Sequence, residues 1–235
     1  MSAFHWDGDH LAAALPHGAH ALFTTRRGGV SSGPFAALNL GRTRADLEDD
    51  DPAAVAENRA RLQAAVGRPL RLSHQVHGTT LATDDAPLAE ADGQVATGTA
   101  SAPTVMVADC LPVAVASQHG VAMLHAGWRG LAGGILEKGV AALGDGPKAA
   151  AIGPGIGVCC FEVGDEVRAA FADHAVAQRG RHLDLKAIAR RQLRAAGVDQ
   201  VDDCDLCTAC ETALFFSHRR DQGVTGRQAG VAWLS

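Results

Sequence analysis

The order of helices and strands limits what this 235-residue chain can fold into more than any other feature of its sequence. Short apolar runs bounded by turn residues predict strands, and they lie at 20–25, 70–76, 104–108, 113–117, 121–125, 148–152, 213–216 and 229–234. Helical patterns fall between them, at 52–66, 130–143, 165–177 and 184–196. Because helices and strands alternate without the regular succession of a doubly wound sheet, we expect a mixed αβ domain of the α+β class.

Two of these segments carry local signals that fix their ends. The helix 52–66 follows the capping residue Asp51 and stops before Gly67. The runs 113–117 and 121–125 are separated by only three residues, which predicts a hairpin or a tight meander. A helix and a pair of adjacent strands are therefore expected at these positions.

Composition and charge narrow the class of protein. Hydrophobic residues make up 47% of the chain and charged residues 20%, which is typical of a globular protein and not of a disordered one. Acidic residues outnumber basic ones 26 to 21, and no run of lysine or arginine stands out. This argues against nucleic acid or an anionic membrane as partner. Because no repeat or linker divides the sequence, we expect residues 1–235 to form a single domain.

Six cysteines and the complete absence of tyrosine are the unusual features of the composition. The first twenty residues lack the basic and apolar regions of a secretory signal, and no window reaches the ~20 apolar residues of a membrane span. We therefore expect a cytoplasmic protein whose cysteines are ligands, nucleophiles or packed thiols and not disulfides. The lack of tyrosine removes one type of general acid.

Metal-ligating side chains occur at three places where a predicted strand gives way to a turn. They are a histidine of the segment 73–78, Cys110 and His125. Two imidazoles and one thiolate form a three-ligand zinc site whose fourth position stays open to water or substrate. His74 and His77 face opposite sides of an extended strand, so only one can join, and spacing does not choose between them. The alternative is that these residues only pack.

The glycine-rich turn after His125 is a second candidate site. Free backbone N–H groups at the start of a helix suit an anion, and Arg129 in this turn is able to clamp a phosphate. The alternative is that Arg129 is a solvated residue at the start of the helix. The other glycine turn, at 153–157, matches neither the P-loop nor the full dinucleotide-binding pattern, so it predicts a phosphate site only weakly.

The remaining cysteines are grouped in two places. Cys204, Cys207 and Cys210 are spaced three apart, and Cys159 and Cys160 are adjacent. The first spacing is compatible with zinc or an iron–sulfur cluster, and packed or surface thiols are the alternative.

Several enzyme classes are excluded by missing motifs. The chain has no His-x-His pair, which ordinary multicopper oxidases need for their trinuclear centre. It also lacks the zinc-deaminase signature, the Gly-x-Ser-x-Gly elbow and the His-Glu-x-x-His helix.

Seven segments, in order from about residue 20 to the C-terminus, together resemble the YfiH-type family. Members of this family are described both as laccase-domain polyphenol oxidases and as purine nucleoside phosphorylases. The segments are GGVSSGPFAALNLG (28–41), HQVHG (74–78), ADG (91–93), ADCLPV (108–113), HAGWRG (125–130), GPGIGVCCFEVG (153–164) and FFSHRRDQGVTGR (215–227).

The resemblance implies a zinc site formed by His77, Cys110 and His125, with copper as the alternative metal and His74 in a supporting place. It implies phosphorolysis of adenosine, inosine and methylthioadenosine to the free base and (methylthio)ribose 1-phosphate, together with adenosine deamination. The implied fold is a layered domain with two mixed sheets flanked by helices, of the type described as cysteine-hydrolase-like. The expected partners are purine nucleosides and phosphate, bound by a monomer or a weak homo-oligomer.

Candidate substrate residues follow from residue type and motif membership. Arg26, Asn39 and Arg129 are predicted to bind substrate, and the first and third carry the positive charge that phosphate needs. Asp92 and Asp109 are the candidate general acids, with turn capping as their alternative role.

The chain departs from the family pattern in three places. Phe161 and His218 stand where tyrosine is common, which excludes any role that needs a phenol there. Arg44, Ala45 and Asp46 replace the usual Gly-Asp, so the mouth of the site is expected to differ.

Three other functions stay open at this point. Cys110 with a histidine base would make a thiol hydrolase, such as an amidase acting on peptidoglycan precursors. A copper polyphenol oxidase is the second, although the missing His-x-His pairs disfavour it. The third is a zinc-stabilised binding module closed by a fourth ligand, His74 or His218.

Overall fold

A computed structural model describes residues 3–41, 50–84 and 90–235. The strands are β1 (Phe4–Asp7), β2 (His10–Ala14), β3 (Ala19–Phe23), β4 (Leu70–Leu72), β5 (Leu81–Ala82), β6 (Gly93–Ala96), β7 (Ala102–Val107), β8 (Leu111–Ser117), β9 (Gly120–Ala126), β10 (Lys148–Ile152), β11 (Gln178–Arg179), β12 (His182–Leu183), β13 (Gln200–Asp203) and β14 (Gln228–Leu234). The α-helices are α1 (Pro52–Val66), α2 (Trp128–Ala132), α3 (Ile135–Ala141), α4 (Asp165–Ala169) and α5 (Leu185–Ala195), and short 3₁₀ helices lie at Gly33–Phe35 and Ala172–Ala177.

The strands form two six-stranded mixed sheets and one small pair. The first sheet has the order β1-β2-β3-β14-β7-β4, and the second has the order β13-β10-β8-β9-β6-β5. Each contains one or more parallel pairs among antiparallel ones, such as β4 with β7 and β10 with β13. The expectation of two mixed sheets in an α+β protein is confirmed.

The two sheets pack face to face, and helices cover their outer faces. Alternate residues of β8 show why: Ala114 and Ala116 belong to the core between the sheets, whereas Val113 and Val115 face the helices. Small alanine side chains let two sheets approach, and the larger valines fill the space beneath α3 and α5. The outer face of the first sheet packs on α1 through Leu62. The result is a helix–sheet–sheet–helix arrangement.

Two local predictions are confirmed. Helix α1 starts at Pro52. The preceding residue, Asp51, caps it by accepting a hydrogen bond from the backbone N–H of Ala53, and Gly67 caps its C-terminal end. Strands β8 and β9 form the predicted hairpin, with Ser117 paired to Gly120 across the turn.

Other boundaries predicted from the sequence are wrong. The expected helix 130–143 is two helices, because Gly134 between them adopts a left-handed φ of 85° that ends the first. The expected helix 165–177 is α4 followed by a 3₁₀ segment. Residues 213–216 lie in a turn and in irregular backbone and form no strand.

The strands that the sequence analysis missed are mostly short or polar. They are β1, β2, β5, β6, β11, β12 and β13. Strand β13 has the sequence QVDD, which carries no apolar alternation, and it is fixed by its parallel pairing with β10. Within the described ranges, none of the helices has the length and apolar character that crossing a membrane requires.

Candidate metal centre and its pocket

The hairpin of β8 and β9 brings Cys110 and His125 together. Cys110 precedes the first residue of β8, and Leu111 pairs with Ala126 while Pro112 pairs with His125. The two ligand-type side chains therefore stand at the same end of the hairpin, although 15 positions separate them in the sequence. The predicted meeting of these two strand ends follows directly from the register of the pair.

A buried carboxylate places His77 beside this hairpin. The Asp92 side chain accepts hydrogen bonds from the backbone N–H groups of Val76 (3.0 Å), His77 (2.9 Å) and Gly78 (2.7 Å). Asp92 itself precedes β6, which pairs with β9 in register with the site. His77 adopts a left-handed φ of 61°, a conformation that these bonds hold in place.

The three side chains converge on one point. The ligand atoms of His77, Cys110 and His125 all lie within 4.8 Å of one another. The imidazole rings of His77 and His125 meet edge to face, with centroids 4.9 Å apart. His125 is 3% exposed whereas His77 is exposed, so the group is buried on one side and open on the other.

Asp92 also orients the second histidine. Its Oδ1 lies 2.7 Å from Nδ1 of His125, and its side chain is fully buried. A proton on Nδ1 donated to this carboxylate leaves Nε2 of His125 free to act as a ligand. Histidine ligands commonly use their second ring nitrogen in this way, which fixes the ring and makes it more basic.

The pKa values of the site depend on these contacts. Burial alone would raise the pKa of the Cys110 thiol, but the neighbouring His125 and His77 lower it to about 6. Burial would likewise lower the pKa of His125, but the Cys110 thiolate and Asp92 raise it to about 9. The pKa of Asp92 falls to about 2 because its hydrogen bonds outweigh the cost of burial. In the metal-free protein, a thiolate and an imidazolium therefore face each other at neutral pH.

These residues fit a metal ion of the kind bound by nitrogen and sulfur. A thiolate and two imidazoles are the ligand types of zinc, and copper also accepts them. The backbone leaves room for the group because residue 127 is glycine, where an added Cβ would stand 2.8 Å from the Cys110 Sγ.

A pocket of about 500 Å³ opens onto the three side chains. Its size is that of small-molecule sites in general. It lies between the ends of β4 and β7 in one sheet and the start of β8 in the other. Its polar lining includes three arginines from distant parts of the chain, Arg59, Arg219 and Arg227, and two further histidines, His74 and His218.

The residues predicted to bind substrate lie elsewhere. The Arg26 side chain donates to the carbonyl of Ala36 at 2.6 Å, and its guanidinium lies over the Phe216 ring. Arg129 is exposed and stacks on Trp128 with its guanidinium 4.2 Å from the ring centroid.

Asn39 is likewise engaged away from the pocket. Its side chain is buried and hydrogen-bonded to the backbone N–H groups of Gly41 and Arg227 and to the carboxylate of Asp50. The pocket lining contains none of the three residues Arg26, Asn39 and Arg129. Their role in substrate binding stays a prediction, and other arginines surround the pocket.

The two candidate general acids are engaged in holding backbone. Asp109 accepts from the Thr208 hydroxyl (2.6 Å) and from the backbone N–H of Arg219 (2.7 Å), and Asp92 is occupied as described above. Each carboxylate therefore positions a neighbouring segment. Through these contacts Asp92 and Asp109 act as positioning residues. They hold the strained turns at His77 (φ of 61°) and at Asp109 itself (φ of 91°).

Comparison with known proteins identifies the family. A sequence model described as multi-copper polyphenol oxidoreductase laccase matches residues 20–235. The chain is 44% identical to the purine nucleoside phosphorylase of Pseudomonas aeruginosa, covering 93% of this chain and 95% of that protein. It is 42% identical to the purine nucleoside phosphorylase YfiH of Escherichia coli, again over 93% and 95% of the two chains. The chain belongs to the YfiH-type family.

The fold of this YfiH-type protein agrees with solved relatives. A Neisseria meningitidis protein superimposes with a TM-score of 0.89 at 38% identity, over 97% of this chain and 100% of the other. The resemblance drawn from the seven sequence segments is therefore confirmed.

Two of the three family departures lie at the pocket. Phe161 and His218 both line it, and the Arg219 guanidinium lies 5.4 Å from the centroid of the Phe161 ring. The third departure, at Arg44, Ala45 and Asp46, lies outside the described residues.

The arginines of the pocket were not predicted from the sequence. Arg219 lies in the segment FFSHRRD, which is part of the family resemblance. Arg59 lies on α1 and Arg227 precedes β14, so only the fold brings them to the site.

A second cluster of metal-ligating side chains lies apart from this group. Cys159, Cys160, Cys207 and Cys210 have their sulfurs within 4.8 Å of one another. Cys204 is not part of it, so the grouping of Cys204 with Cys207 and Cys210 by their spacing is wrong. After β13, an isolated parallel bridge places Cys207 beside Gly155, and this brings Cys207 and Cys210 to the loop that carries Cys159 and Cys160.

Proposed function

We propose that this protein is a metal-dependent purine nucleoside phosphorylase. The observation that carries the proposal is the pocket itself, which has His77, Cys110 and His125 at its floor and three arginines in its wall. The relatives named purine nucleoside phosphorylase match this chain over nearly its whole length.

His77, Cys110 and His125 would hold the metal, and we assign zinc. A zinc ion bound there would supply Lewis-acid chemistry. Asp92 keeps His125 in the tautomer that presents Nε2, and it keeps His77 in its turn. Cys110 and His125 stand at one end of the β8–β9 hairpin and His77 in the turn between β4 and β5, and all three line the pocket.

Arg59, Arg219 and Arg227 would bind the phosphate. Each of these guanidinium groups also donates to backbone carbonyls of the chain. Their positive charges would neutralise a doubly charged anion in the pocket and hold it by charge-assisted hydrogen bonds. A phosphate oxygen then attacks C1′ of the ribose. The bond between C1′ and N9 breaks, its electron pair leaves with the purine, and ribose 1-phosphate forms.

The departing purine takes up a proton, and we assign its donor as His218. Among the residues that the structure describes, two imidazoles outside the metal-ligand group line the pocket, those of His74 and His218. Nδ1 of His74 lies 3.7 Å from a carboxylate oxygen of Glu90 and is directed towards it. Asp92 and Asp109 are engaged with backbone N–H groups and with the side chains of His125 and Thr208, so we assign the proton donor to His218.

Adenosine deamination belongs to the same proposal. In that reaction water adds at C6 of the purine and ammonia leaves, so phosphate is not needed. Both reactions act on a purine nucleoside bound in the same pocket. The proposed substrates are adenosine, inosine and methylthioadenosine.

A thiol hydrolase is the second candidate, and one observation favours it. Cys110 has a pKa of about 6 and lies beside a protonated His125, which is the pairing of a cysteine nucleophile with its base. An amide substrate, such as a peptidoglycan precursor, would then form an acyl-enzyme on Cys110. Copper polyphenol oxidation has less support, because the four-cysteine cluster offers none of the histidines of a multicopper centre.

The test is a chromatographic assay of inosine with inorganic phosphate, run beside adenosine alone and beside amide substrates. We expect ribose 1-phosphate and hypoxanthine from the wild type and from Cys204→Ser, a control at a cysteine outside both clusters. Loss of Lewis-acid stabilisation worth several kcal/mol predicts at least about a hundredfold lower kcat/KM for Cys110→Ala. Turnover of an amide by zinc-free protein, with an acyl group on Cys110 detected by mass spectrometry, would overturn the proposal in favour of the hydrolase.

A further inference from the structure

The four-cysteine cluster is built where two loops are joined by backbone pairing. Strands β10 and β13 pair in parallel, and the chain beyond each of them continues side by side. Gly155 forms an isolated parallel bridge with Cys207, and the backbone N–H of Thr208 donates to the carbonyl of Gly155 at 3.1 Å. Cysteines about 50 positions apart therefore meet through the fold and not through local spacing.

The distances between the sulfurs are compatible with four ligands around one ion. Sγ of Cys210 lies 3.5 Å from the Sγ atoms of both Cys159 and Cys160, and all four sulfurs lie within 4.8 Å of one another. Zinc–sulfur bonds of about 2.3 Å in a regular tetrahedron place the sulfurs about 3.8 Å apart. A disulfide needs about 2.05 Å, and all four cysteines are free thiols.

One of the sulfurs is surrounded by hydrogen-bond donors. Cys207 Sγ accepts from the backbone N–H of Gly157 at 3.1 Å, and the N–H groups of Ala209 and Cys210 also point at it. Hydrogen bonds from three N–H groups stabilise a thiolate more than a neutral thiol, because bonds to a charged acceptor are stronger. The spacing Cys207-x-x-Cys210 is that of the ligand pairs in structural zinc sites.

We propose that Cys159, Cys160, Cys207 and Cys210 bind a structural zinc ion. Four thiolates fill all the positions of tetrahedral zinc, so this site is closed to substrate, unlike the three-ligand group in the pocket. The proposal does not depend on the reaction assigned to the pocket.

The zinc ion would brace one wall of the pocket. Thr208, next to Cys207, donates to the carboxylate of Asp109, and Asp109 is adjacent to the proposed ligand Cys110. The Arg219 side chain donates to the carbonyls of Cys160 and Glu162, and Phe161 lines the pocket. Tying the two loops together fixes the residues that shape the pocket on this side.

The first test is the zinc content of the full-length protein purified under reducing conditions and measured by mass spectrometry of metals. We expect about two zinc ions per chain in the wild type, one in Cys110→Ala, and one in Cys159→Ser/Cys210→Ser. The two substituted positions of the double variant are exposed, so serine there leaves the core intact. Cys204→Ser is the matched control, and we expect it to keep both ions.

The outcomes separate the two sites. If the wild-type protein held one zinc ion and lost it only in Cys159→Ser/Cys210→Ser, the result would support the structural site. It would also contradict the assignment of zinc to the pocket. Zinc content unchanged by Cys159→Ser/Cys210→Ser would overturn the structural site.

Cobalt substitution gives a second readout. In Cys110→Ala reconstituted with Co²⁺, we expect the intense visible and near-ultraviolet bands of tetrahedral cobalt with four thiolates, and their loss when Cys159 and Cys210 are also replaced. Iron with acid-labile sulfide in the purified protein, or a disulfide among the four cysteines under reducing conditions, would contradict zinc binding.

Discussion

The two clusters of metal-ligating residues are built on opposite principles. The group of His77, Cys110 and His125 has three ligands of two kinds, lies at the floor of a pocket, and is oriented by the fully buried Asp92. The four-cysteine cluster has four ligands of one kind and includes two exposed cysteines.

This difference indicates that the first group suits a reaction and the second suits stabilisation of the fold. A ligand group that lacks one position and is held by a buried carboxylate suits a reaction, because its geometry is fixed while one side stays open. A group that supplies every ligand from two loops suits stability, because it closes the loops and leaves nothing for substrate. A zinc ion in the pocket and a zinc ion at the four cysteines would therefore have unrelated roles.

Among the substitutions that test this comparison, Asp92→Asn is expected to have the largest effect on activity and on zinc affinity at the pocket. The amide keeps the shape of the side chain but loses the charge that orients His125, and it cannot accept all the hydrogen bonds that Asp92 accepts. Loss of such a partner typically lowers metal affinity or activity 10- to 100-fold. We expect a loss of this size in kcat/KM and in zinc affinity at the pocket, with zinc at the four cysteines retained.

The control for this prediction is Asp165→Asn, because the Asp165 side chain is fully exposed. If Asp92→Asn released both metal ions, the carboxylate would act on the whole fold and the distinction between the two sites would fail.

Much of the pocket site could be predicted from the sequence, and the reason lies in the hairpin. Cys110 and His125 flank two strands joined by a short turn, so a local pattern places them together. The choice of His77 over His74 depended on the family resemblance. In the structure the turn that presents His77 is fixed by Asp92, 15 positions away, and no local spacing shows such a contact.

The four-cysteine cluster could not be predicted in the same way. Its two halves meet because β10 pairs with β13, and β13 is a polar strand without apolar alternation. Spacing alone therefore grouped Cys204 with its sequence neighbours and left Cys159 and Cys160 without a partner. For the same reason Arg59 and Arg227, which only the tertiary fold brings to the pocket, were not identified.

The next effect concerns the phosphate and compares Arg219→Gln with Arg129→Gln. Arg219 lines the pocket, whereas Arg129 stacks on Trp128 at an exposed position. A hydrogen bond to a charged group contributes about 1.5–3 kcal/mol, so we expect the KM for phosphate to rise about tenfold or more in Arg219→Gln. In Arg129→Gln we expect little change.

Steady-state kinetics with phosphate varied at saturating inosine measures this difference, and thermal unfolding shows whether each variant is folded. The reverse ranking of the two variants would support Arg129 as the phosphate-binding residue and contradict that role for Arg219.

A smaller effect is expected from Gly127→Ala. The backbone at this position (φ −72°, ψ 169°) suits alanine, so the change adds no backbone strain. The new Cβ would meet the Cys110 Sγ at 2.8 Å and Cδ2 of His77 at 3.3 Å. Overpacking of this kind costs about 1–3 kcal/mol where neighbours cannot move. Because the exposed side chain of His77 has room to adjust even though its backbone turn is held by Asp92, we expect zinc affinity at the pocket to fall measurably, by up to about tenfold.

Competition with a chelator measures this affinity, and the four-cysteine site should keep its zinc under the same conditions. An unchanged affinity at the pocket would show that the three ligands are not held as tightly as the contacts indicate.

The finest difference between the two sites is the number of protons that zinc displaces. At pH 7.5 Cys110 is already a thiolate and His125 still carries its extra proton, because their pKa values are about 6 and about 9. Zinc needs the neutral imidazole, so these two residues release about one proton. The pKa values of Cys159, Cys160 and Cys210 are raised to about 11, and each must lose a proton to bind zinc.

At least three protons are therefore expected from the four-cysteine site. Affinity for zinc rises with pH at both sites, because fewer protons remain to be displaced, and it rises more steeply where more protons are released. Calorimetric titration in two buffers of different ionisation enthalpy gives the number directly. Metal-free Cys159→Ser/Cys210→Ser reports the pocket, and metal-free Cys110→Ala reports the four cysteines. Equal proton release at the two sites would contradict the difference in ligand pKa values between them, and the electrostatic contrast between the sites would be lost.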